Sequence, residues 1–214
     1  MSERNLPPAY DADYYADYCA EIPYERHERW ERFFGSVADR IVADIRPRTV
    51  LDVGCAMGFL VEALRDRGVE AFGLDVSSYA VGKARADIAP FLRVGRATDP
   101  LDRRYDLVVC LEVIEHLTEE EGERAIANLC ASTDDVLLSS TPFEFTEITH
   151  RNVQAPDYWA GLFARCGFAR DVEFDATFVT PWTMRFRRSD GALVPLVRAY
   201  ERRVWTLAQE RQAR

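Results

Sequence analysis

The chain has 214 residues, 48% of them hydrophobic and 12% aromatic, which suits one globular domain with a full core and is too short for two equal ones. Its formal charge of −9 repels phosphate backbones and anionic lipid surfaces, so neither nucleic acid nor a membrane is an expected partner. The five cysteines (Cys19, Cys55, Cys110, Cys130, Cys166) lack C-x-x-C or metal-finger spacing, and neither an apolar leader nor a membrane-length apolar run occurs; the expectation is a reduced, cytoplasmic protein.

In chain order, the first stretch, "AYDADYYADYC", is aromatic and acidic and too polar to fold alone. Trp30, Phe34, Val37, Ile41 and Ile45 then recur at steps of three and four, the spacing of an amphipathic helix that Pro47 stops. "TVLDVG" is an apolar strand running into a glycine turn, "FLVEALRDRG" a helix with Gly68 as its C-terminal cap, and "EAFGLDV" the next strand. Ser77 caps a helix over "SYAVGKARA", and a weak strand lies near "FLRVG". "YDLVVCL" has the unbroken apolarity of a strand covered on both faces, and Thr118 with Glu121 forms a capping box for a helix ending near Cys130.

"DVLLSS" is a fifth strand, followed by the long loop "TPFEFTEITHRNVQ" and a helix that starts at Pro156 and ends at Gly167, with Trp159 and Phe163 assigned to the core. "ARDVEFDA" and "FVTPWTMRFR" read as terminal strands joined antiparallel, and a last amphipathic helix uses Leu196, Val197, Tyr200, Val204 and Leu207. Residues 181–214 hold eight arginines against Asp190, Glu201 and Glu210, a local exception to the acidic chain that reads as a solvated helix face. The organisation expected is an N-terminal lid and helix over 1–47, a core over 48–190 and a C-terminal helix over 191–214.

Strands alternating with helices imply an α/β fold: a doubly wound, mostly parallel sheet with helices on both faces, which binds ligands beyond the carboxyl ends of its strands. On that edge stands "VLDVGCAMGFL", where Gly54 and Gly58 permit a tight turn and a close backbone approach, and a helix start offers unpaired N–H groups to an anionic moiety. Asp75, ending the next strand, is placed to accept both hydroxyls of a ribose. Together they predict a nucleoside-containing cofactor. A dinucleotide fingerprint would need glycine or alanine where Phe59 stands, which counts against a nicotinamide-dependent oxidoreductase.

The pattern instead resembles the class I S-adenosylmethionine-dependent methyltransferases, through "LDVGCAMG", "GLDVS", "YDLVVCLEVIEHL" and "LLSSTP", over roughly residues 48–185. The resemblance implies a seven-stranded sheet and a cofactor pocket in which Asp52, Gly54, Cys55, Ala56 and Gly58 shape the site for the methionine moiety. By the same resemblance Asp75 holds the ribose, Val76 lies against adenine, and Leu111 lines the pocket. Ala56 stands where the family more often has Gly, and Arg96 where many relatives have Asp, so Ala97 backbone or Asp99 would serve the adenine amino group.

A sulfonium methyl is already activated, so a methyltransferase must mainly align nucleophile, methyl and sulfur, but a hydroxyl acceptor also needs a base or a metal. If the chain turns helical after Leu111, then Glu112, Glu115 and His116 share one face at i, i+3 and i+4, and His150 lies in the loop on the same edge. The set resembles the E-x-x-E-H plus distal His of metal-dependent small-RNA 2′-O-methyltransferases, and E-x-x-E-H also occurs in ubiquinone-pathway O-methyltransferases. Two imidazoles would suit Mn²⁺, Fe²⁺, Co²⁺ or Zn²⁺ better than Mg²⁺. "EVIEHL" also occurs in such enzymes without a metal; there His150 is the general-base candidate and His116 lies at the pocket wall.

Tyr10, Tyr14, Tyr15 and Tyr18, with Phe143, Phe145 and Tyr158, could close over a substrate. The function expected is methyl transfer from S-adenosylmethionine to a small-molecule hydroxyl, on a sugar or secondary metabolite, with an amine acceptor as the alternative. An oxidoreductase, or a non-catalytic binding subunit using the Arg-rich C-terminal helix, are the readings from other classes, and no oligomeric state is specified.

Overall fold

Strands apolar on both faces need cover on both faces, and this requirement organises the molecule. A computed structural model describes residues 10–17, 22–189, 191 and 193–212. Its seven strands are β1 (Thr49–Val53), β2 (Glu70–Asp75), β3 (Leu92–Val94), β4 (Leu107–Leu111), β5 (Asp135–Ser139), β6 (Phe168–Arg170) and β7 (Met184–Arg188), in the spatial order β3-β2-β1-β4-β5-β7-β6. The first five run parallel; β7 is antiparallel to both β5 and β6. The doubly wound, mostly parallel sheet expected from the sequence is therefore present. Tyr18 and Cys19, and Asp190 at the expected domain boundary, lie outside the described residues.

The helices are α1 (Ala12–Asp17), α2 (Glu28–Arg40), α3 (Phe59–Arg65), α4 (Ser78–Gly82), α5 (Glu119–Ser132), α6 (Pro156–Arg165) and α7 (Leu193–Gln212). Successive residues of β4 alternate between two cores, as the period of two demands. Leu107 and Val109 meet Val37, Ile41, Leu60 and Leu64 from α2, the turn that follows it, and α3. Val108 and Cys110 meet Ile126, Leu129, Trp159 and Phe163 from α5 and α6. The third cluster is small and aromatic: Tyr14, Tyr15, Tyr24, Met57, Phe59 and Ala80.

Local signals acted where expected. Ser77 Oγ accepts the Ala80 N–H at 3.0 Å, the Thr118–Glu121 capping box forms, and Gly68 and Gly167 take the left-handed conformation at φ +82° and +79°. Cys55, Cys110 and Cys130 are buried free thiols, as expected.

Three expectations are corrected. The chain after Leu111 does not continue as a helix: Glu112 is left-handed at φ +52°, and only Ile114–His116 form a single 3-10 turn. The strand expected over "ARDVEFDA" is confined to Phe168–Arg170: Asp171 N still donates to Arg185 O of β7 at 2.8 Å, and the chain then leaves the ladder in a turn at residues 172–173. α7 does form, but Val197, Tyr200, Val204 and Leu207 on its apolar stripe are exposed, so its pattern reflects amphipathicity without burial in this chain.

On the β7 side the sheet is held by Phe163 and Phe186, fully buried and stacked with centroids 4.0 Å apart and planes at 5°. Phe186→Ala removes one ring from a close-packed site and is expected to cost about 3–5 kcal/mol, read as a lower denaturant midpoint at unchanged slope.

Candidate active site

The strand order reverses between β1 and β4, so the loops leaving their carboxyl ends diverge and open a crevice. On its β1 side, Gly54 N and Cys55 N both donate to Leu74 O, at 2.7 and 3.2 Å, stitching the glycine turn to β2. Gly54 sits at φ +81°, and a Cβ there would stand 2.1 Å from Val113 Cγ2, so the turn tolerates no side chain. Ala56 is also left-handed at φ +46°, a conformation that favours glycine.

Asp75 joins this turn to the next one. Its carboxylate accepts the Ala56 N–H at 2.7 Å on one oxygen and the Ser77 N–H at 2.7 Å on the other. Each oxygen keeps a second lone pair for a ligand hydroxyl. Burial raises the Asp75 pKa while these N–H bonds pull it back; Asp52, fully enclosed, is pushed up to about 8 by burial and then by the charge of Asp75. Cys55 is buried, Val76 stands 45% exposed beside Asp75, and Leu111 is half-buried at the end of β4. The Ala97 carbonyl accepts from Asn128 Nδ2 at 3.0 Å, which ties its loop to α5.

Across the crevice lie the ionisable residues of the β4 edge. Glu115, His116 and His150 present donor atoms within 4.8 Å of one another. Glu112 falls outside that group: its left-handed backbone turns the carboxylate to Trp182, whose Nε1 donates to it at 2.9 Å. The four-ligand set expected from helical spacing is thus reduced to three. Glu115 is fully buried and, among the described residues, neither carboxylate oxygen accepts a hydrogen bond; burial, then the charge of Glu112, raises its pKa well above the usual carboxylate range.

Two residues that the sequence reading did not single out, Glu147 and Thr149, set the states of both imidazoles. Thr149 Oγ1 donates to the Glu147 carboxylate, so its 2.8 Å contact with His116 Nδ1 must be donated by the ring. His116 then carries its proton on Nδ1 and keeps a lone pair on Nε2. Burial, and next the charge of His150, lower the His116 pKa to about 4.

His150 has acceptors at both nitrogens: Glu144 O at 2.7 Å from Nδ1 and the Glu147 carboxylate at 2.9 Å from Nε2. Burial opposes its charge, but these two bonds outweigh it and raise the pKa to about 9. At neutral pH His150 is thus the charged imidazole of the pair and His116 the neutral one. The signal for Glu147 and Thr149 was their adjacency to His150 in "TEITH", which has no meaning until the loop folds back on the 3-10 turn.

The fold is that of the class I S-adenosylmethionine-dependent methyltransferases. Residues 24–173 match the family described as "Methyltransferase domain", and the chain belongs to that family. It is 31% identical over 151 residues to a bifunctional O-antigen chain terminator methyltransferase/kinase of Escherichia coli, covering 64% of this chain and 21% of that protein. It is 35% identical over 102 residues to a ubiquinone biosynthesis O-methyltransferase of Alkalilimnicola ehrlichii, covering 44% and 41% of the two chains. The chain thus spans less than half the length of these curated relatives.

Among solved structures, magnesium protoporphyrin IX methyltransferase of Synechocystis with bound S-adenosylmethionine superposes with a TM-score of 0.61 at 24% identity over 74% of this chain and 79% of that one. An amino pentose methyltransferase of Micromonospora echinaspora gives 0.60 at 19% identity over 75% and 92%. At these identities the structural likeness concerns the fold.

Gly54→Ala is expected to displace Val113 and strain the turn. The affinity for S-adenosylhomocysteine, measured by calorimetry, should fall by at least about tenfold.

Proposed function

We propose that this protein transfers the methyl of S-adenosylmethionine to a hydroxyl of a small molecule. Two features at the carboxyl edge of the sheet support the reading: the Asp75 carboxylate that accepts the Ala56 and Ser77 N–H groups beside the Gly54–Gly58 turn, and a neutral His116 whose Nδ1 is engaged by Thr149, leaving Nε2 as the proton acceptor. Asp75 accepts the ribose hydroxyls on its free lone pairs, the glycine turn admits the amino-acid end, and Val76 and Leu111 lie against the apolar parts of the cofactor. Asp52, Cys55, Ala56 and Gly58 shape the turn, and Ala97 flanks the adenine.

The acceptor hydroxyl donates its proton to His116 Nε2 as the oxygen attacks the methyl carbon, and the methyl–sulfur bond breaks with its electron pair left on sulfur. Thr149 and Glu147 hold the His116 ring in the tautomer this requires, much as the third member of a catalytic triad does. Sugar, quinol and other secondary-metabolite hydroxyls all fit the scheme. The O-methyltransferase among the relatives supports oxygen as the acceptor atom, and the amino pentose enzyme keeps nitrogen as the alternative.

The orphaned Glu115 carboxylate favours a second reading, in which a divalent cation occupies the cluster. The residues fit one: Glu115 with two free oxygens, His116 Nε2 with a free lone pair, and His150 aimed by its Nδ1 bond to Glu144 O, so that Nε2 is the ligand once Glu147 releases it. One carboxylate and two imidazoles suit Mn²⁺, Fe²⁺, Co²⁺ or Zn²⁺, and a bound ion would supply Lewis acidity that lowers the pKa of the acceptor hydroxyl. Glu112 stays with Trp182 in either reading.

Calorimetry tests the cofactor: the wild-type chain should bind S-adenosylmethionine and S-adenosylhomocysteine, and Asp75→Ala should lose at least about tenfold in affinity for both. Absence of binding by the wild type ends the proposal. Elemental analysis and turnover in chelator separate the two centres, since full activity in chelator rules out a required ion.

In the metal-free case kcat/KM should rise as pH climbs through about 4, where His116 loses its blocking proton, and fall above about 9, where His150 loses the charge that fixes Glu147. Glu147→Gln removes the anion that sustains the imidazolium and should draw the upper limb toward neutral pH.

A further inference from the structure

The loop after β5 treats its polar and its apolar side chains in opposite ways. Over residues 143–150 every side-chain donor is engaged within the protein: Thr146 Oγ1 by Glu144, Thr149 Oγ1 by Glu147, and the two ring nitrogens of His150 by Glu144 O and the Glu147 carboxylate. Three large apolar side chains of the same loop are left uncovered, Phe143 at 64% exposure, Phe145 at 70% and Ile148 at 71%. The loop is nonetheless anchored, because Thr141 and Thr149 near its two ends are buried. A single exposed hydrophobic residue is ordinary, but three within the stretch 143–148 of an anchored loop mark a surface kept for an apolar occupant.

Phe143 does not stand alone. Its ring meets that of Trp182, just before β7, edge to face with centroids 5.0 Å apart. Trp182 is itself fixed through Nε1, which donates to Glu112 at 2.9 Å, and Glu112 holds a left-handed backbone at φ +52°. A non-glycine residue keeps such a conformation only where its surroundings over-determine it, and that is common at functional sites. Glu112 follows β4 directly, and its N–H donates to Ser139 O at the end of β5 at 3.0 Å. The aromatic pair is therefore built on the same two strand ends that lead into His116 and His150. An occupant of this surface belongs to the site that holds the proton acceptor.

Resting on the functional reading above, we propose that the acceptor carries its hydroxyl on an apolar body, an aromatic ring or a hydrocarbon chain, and that Phe143 and Trp182 bind this body while the hydroxyl is deprotonated at His116. Phe145 and Ile148 give cover to the remainder of the molecule. A sugar would find no free side-chain donor over residues 143–150 to replace the hydrogen bonds it leaves in water, whereas an apolar body gains by leaving water. An anionic lipid surface, another occupant of exposed apolar loops, is repelled by the chain's net charge of −9.

The test uses the full chain with S-adenosylhomocysteine bound and reads, by calorimetry, the affinity of two apolar probes, 2-naphthol and 4-octylphenol, against methyl α-glucoside. At least one apolar probe should bind at least about tenfold more tightly than the glucoside. Phe143→Ala should weaken that probe by about tenfold, the loss expected when one large apolar side chain no longer gains cover, and Phe143→Leu should recover most of it. For so exposed a residue the melting temperature should not change, and the affinity for S-adenosylhomocysteine should stay within about twofold of the wild type. With S-adenosylmethionine the preferred probe should be methylated, and Phe143→Ala should raise its KM more than it lowers kcat.

Tighter or equal binding of the glucoside, no binding of either apolar probe, a bound probe that is not methylated, or an affinity indifferent to Phe143→Ala would each overturn the inference while leaving cofactor binding intact. Co-sedimentation of the wild type with phosphatidylcholine vesicles, abolished by Phe143→Ala without a change in probe affinity, would overturn it as well, since the loop would then serve a lipid surface. Failure of the wild type to bind S-adenosylhomocysteine would instead remove the functional reading beneath it, and the inference with it.

Discussion

The carboxylate of Asp75 is the constraint on which the rest of the crevice depends. It ends β2 and takes one N–H from the glycine turn after β1 and one from the start of α4, so two loops that leave different strands share one anchor. Burying a carboxylate is costly unless it is paired or hydrogen-bonded, and here the backbone supplies the bonds. The anchor keeps Ala56 in its left-handed conformation and leaves lone pairs facing the opening. Its charge also raises the pKa of the enclosed Asp52, so only one of the two acids needs to be ionised at neutral pH.

A second electrostatic arrangement lies opposite. Two imidazoles with centroids 4.7 Å apart cannot both hold a proton cheaply, and Glu147 settles which one does. Its carboxylate pairs with His150 and, through Thr149, orders the neutral tautomer of His116. Glu115, buried and without a partner, is the unsatisfied member of the group; protonation or a bound cation relieves it.

Residues 10–17 tie these halves together. They reach from Ser77, beside Asp75, to the edge of His116, and their tyrosines complete a small core that neither sheet face needs. That core packs α1 against Met57 of the glycine turn, Phe59 of α3 and Ala80 of α4.

What the sequence determined by itself was everything with a local cause. Apolar runs and their periods specified the sheet and its covering helices; Ser77, Thr118 with Glu121, Pro156, Gly68 and Gly167 marked helix ends because capping and left-handed turns act within a few residues. The glycine turn and Asp75 were legible for the same reason, since a strand end fixes where a side chain or a turn must point. Tertiary structure alone decided the chemistry of the β4 edge. Helical spacing after Leu111 pointed to four ligands, but a left-handed Glu112 sent one of them to Trp182, 70 residues away in the chain. The choice of His116 over His150 as the neutral imidazole depends on Glu147 and Thr149 folding onto a turn some thirty residues earlier. Protonation states are set by desolvation and by neighbours in space, and neither is written in the order of residues.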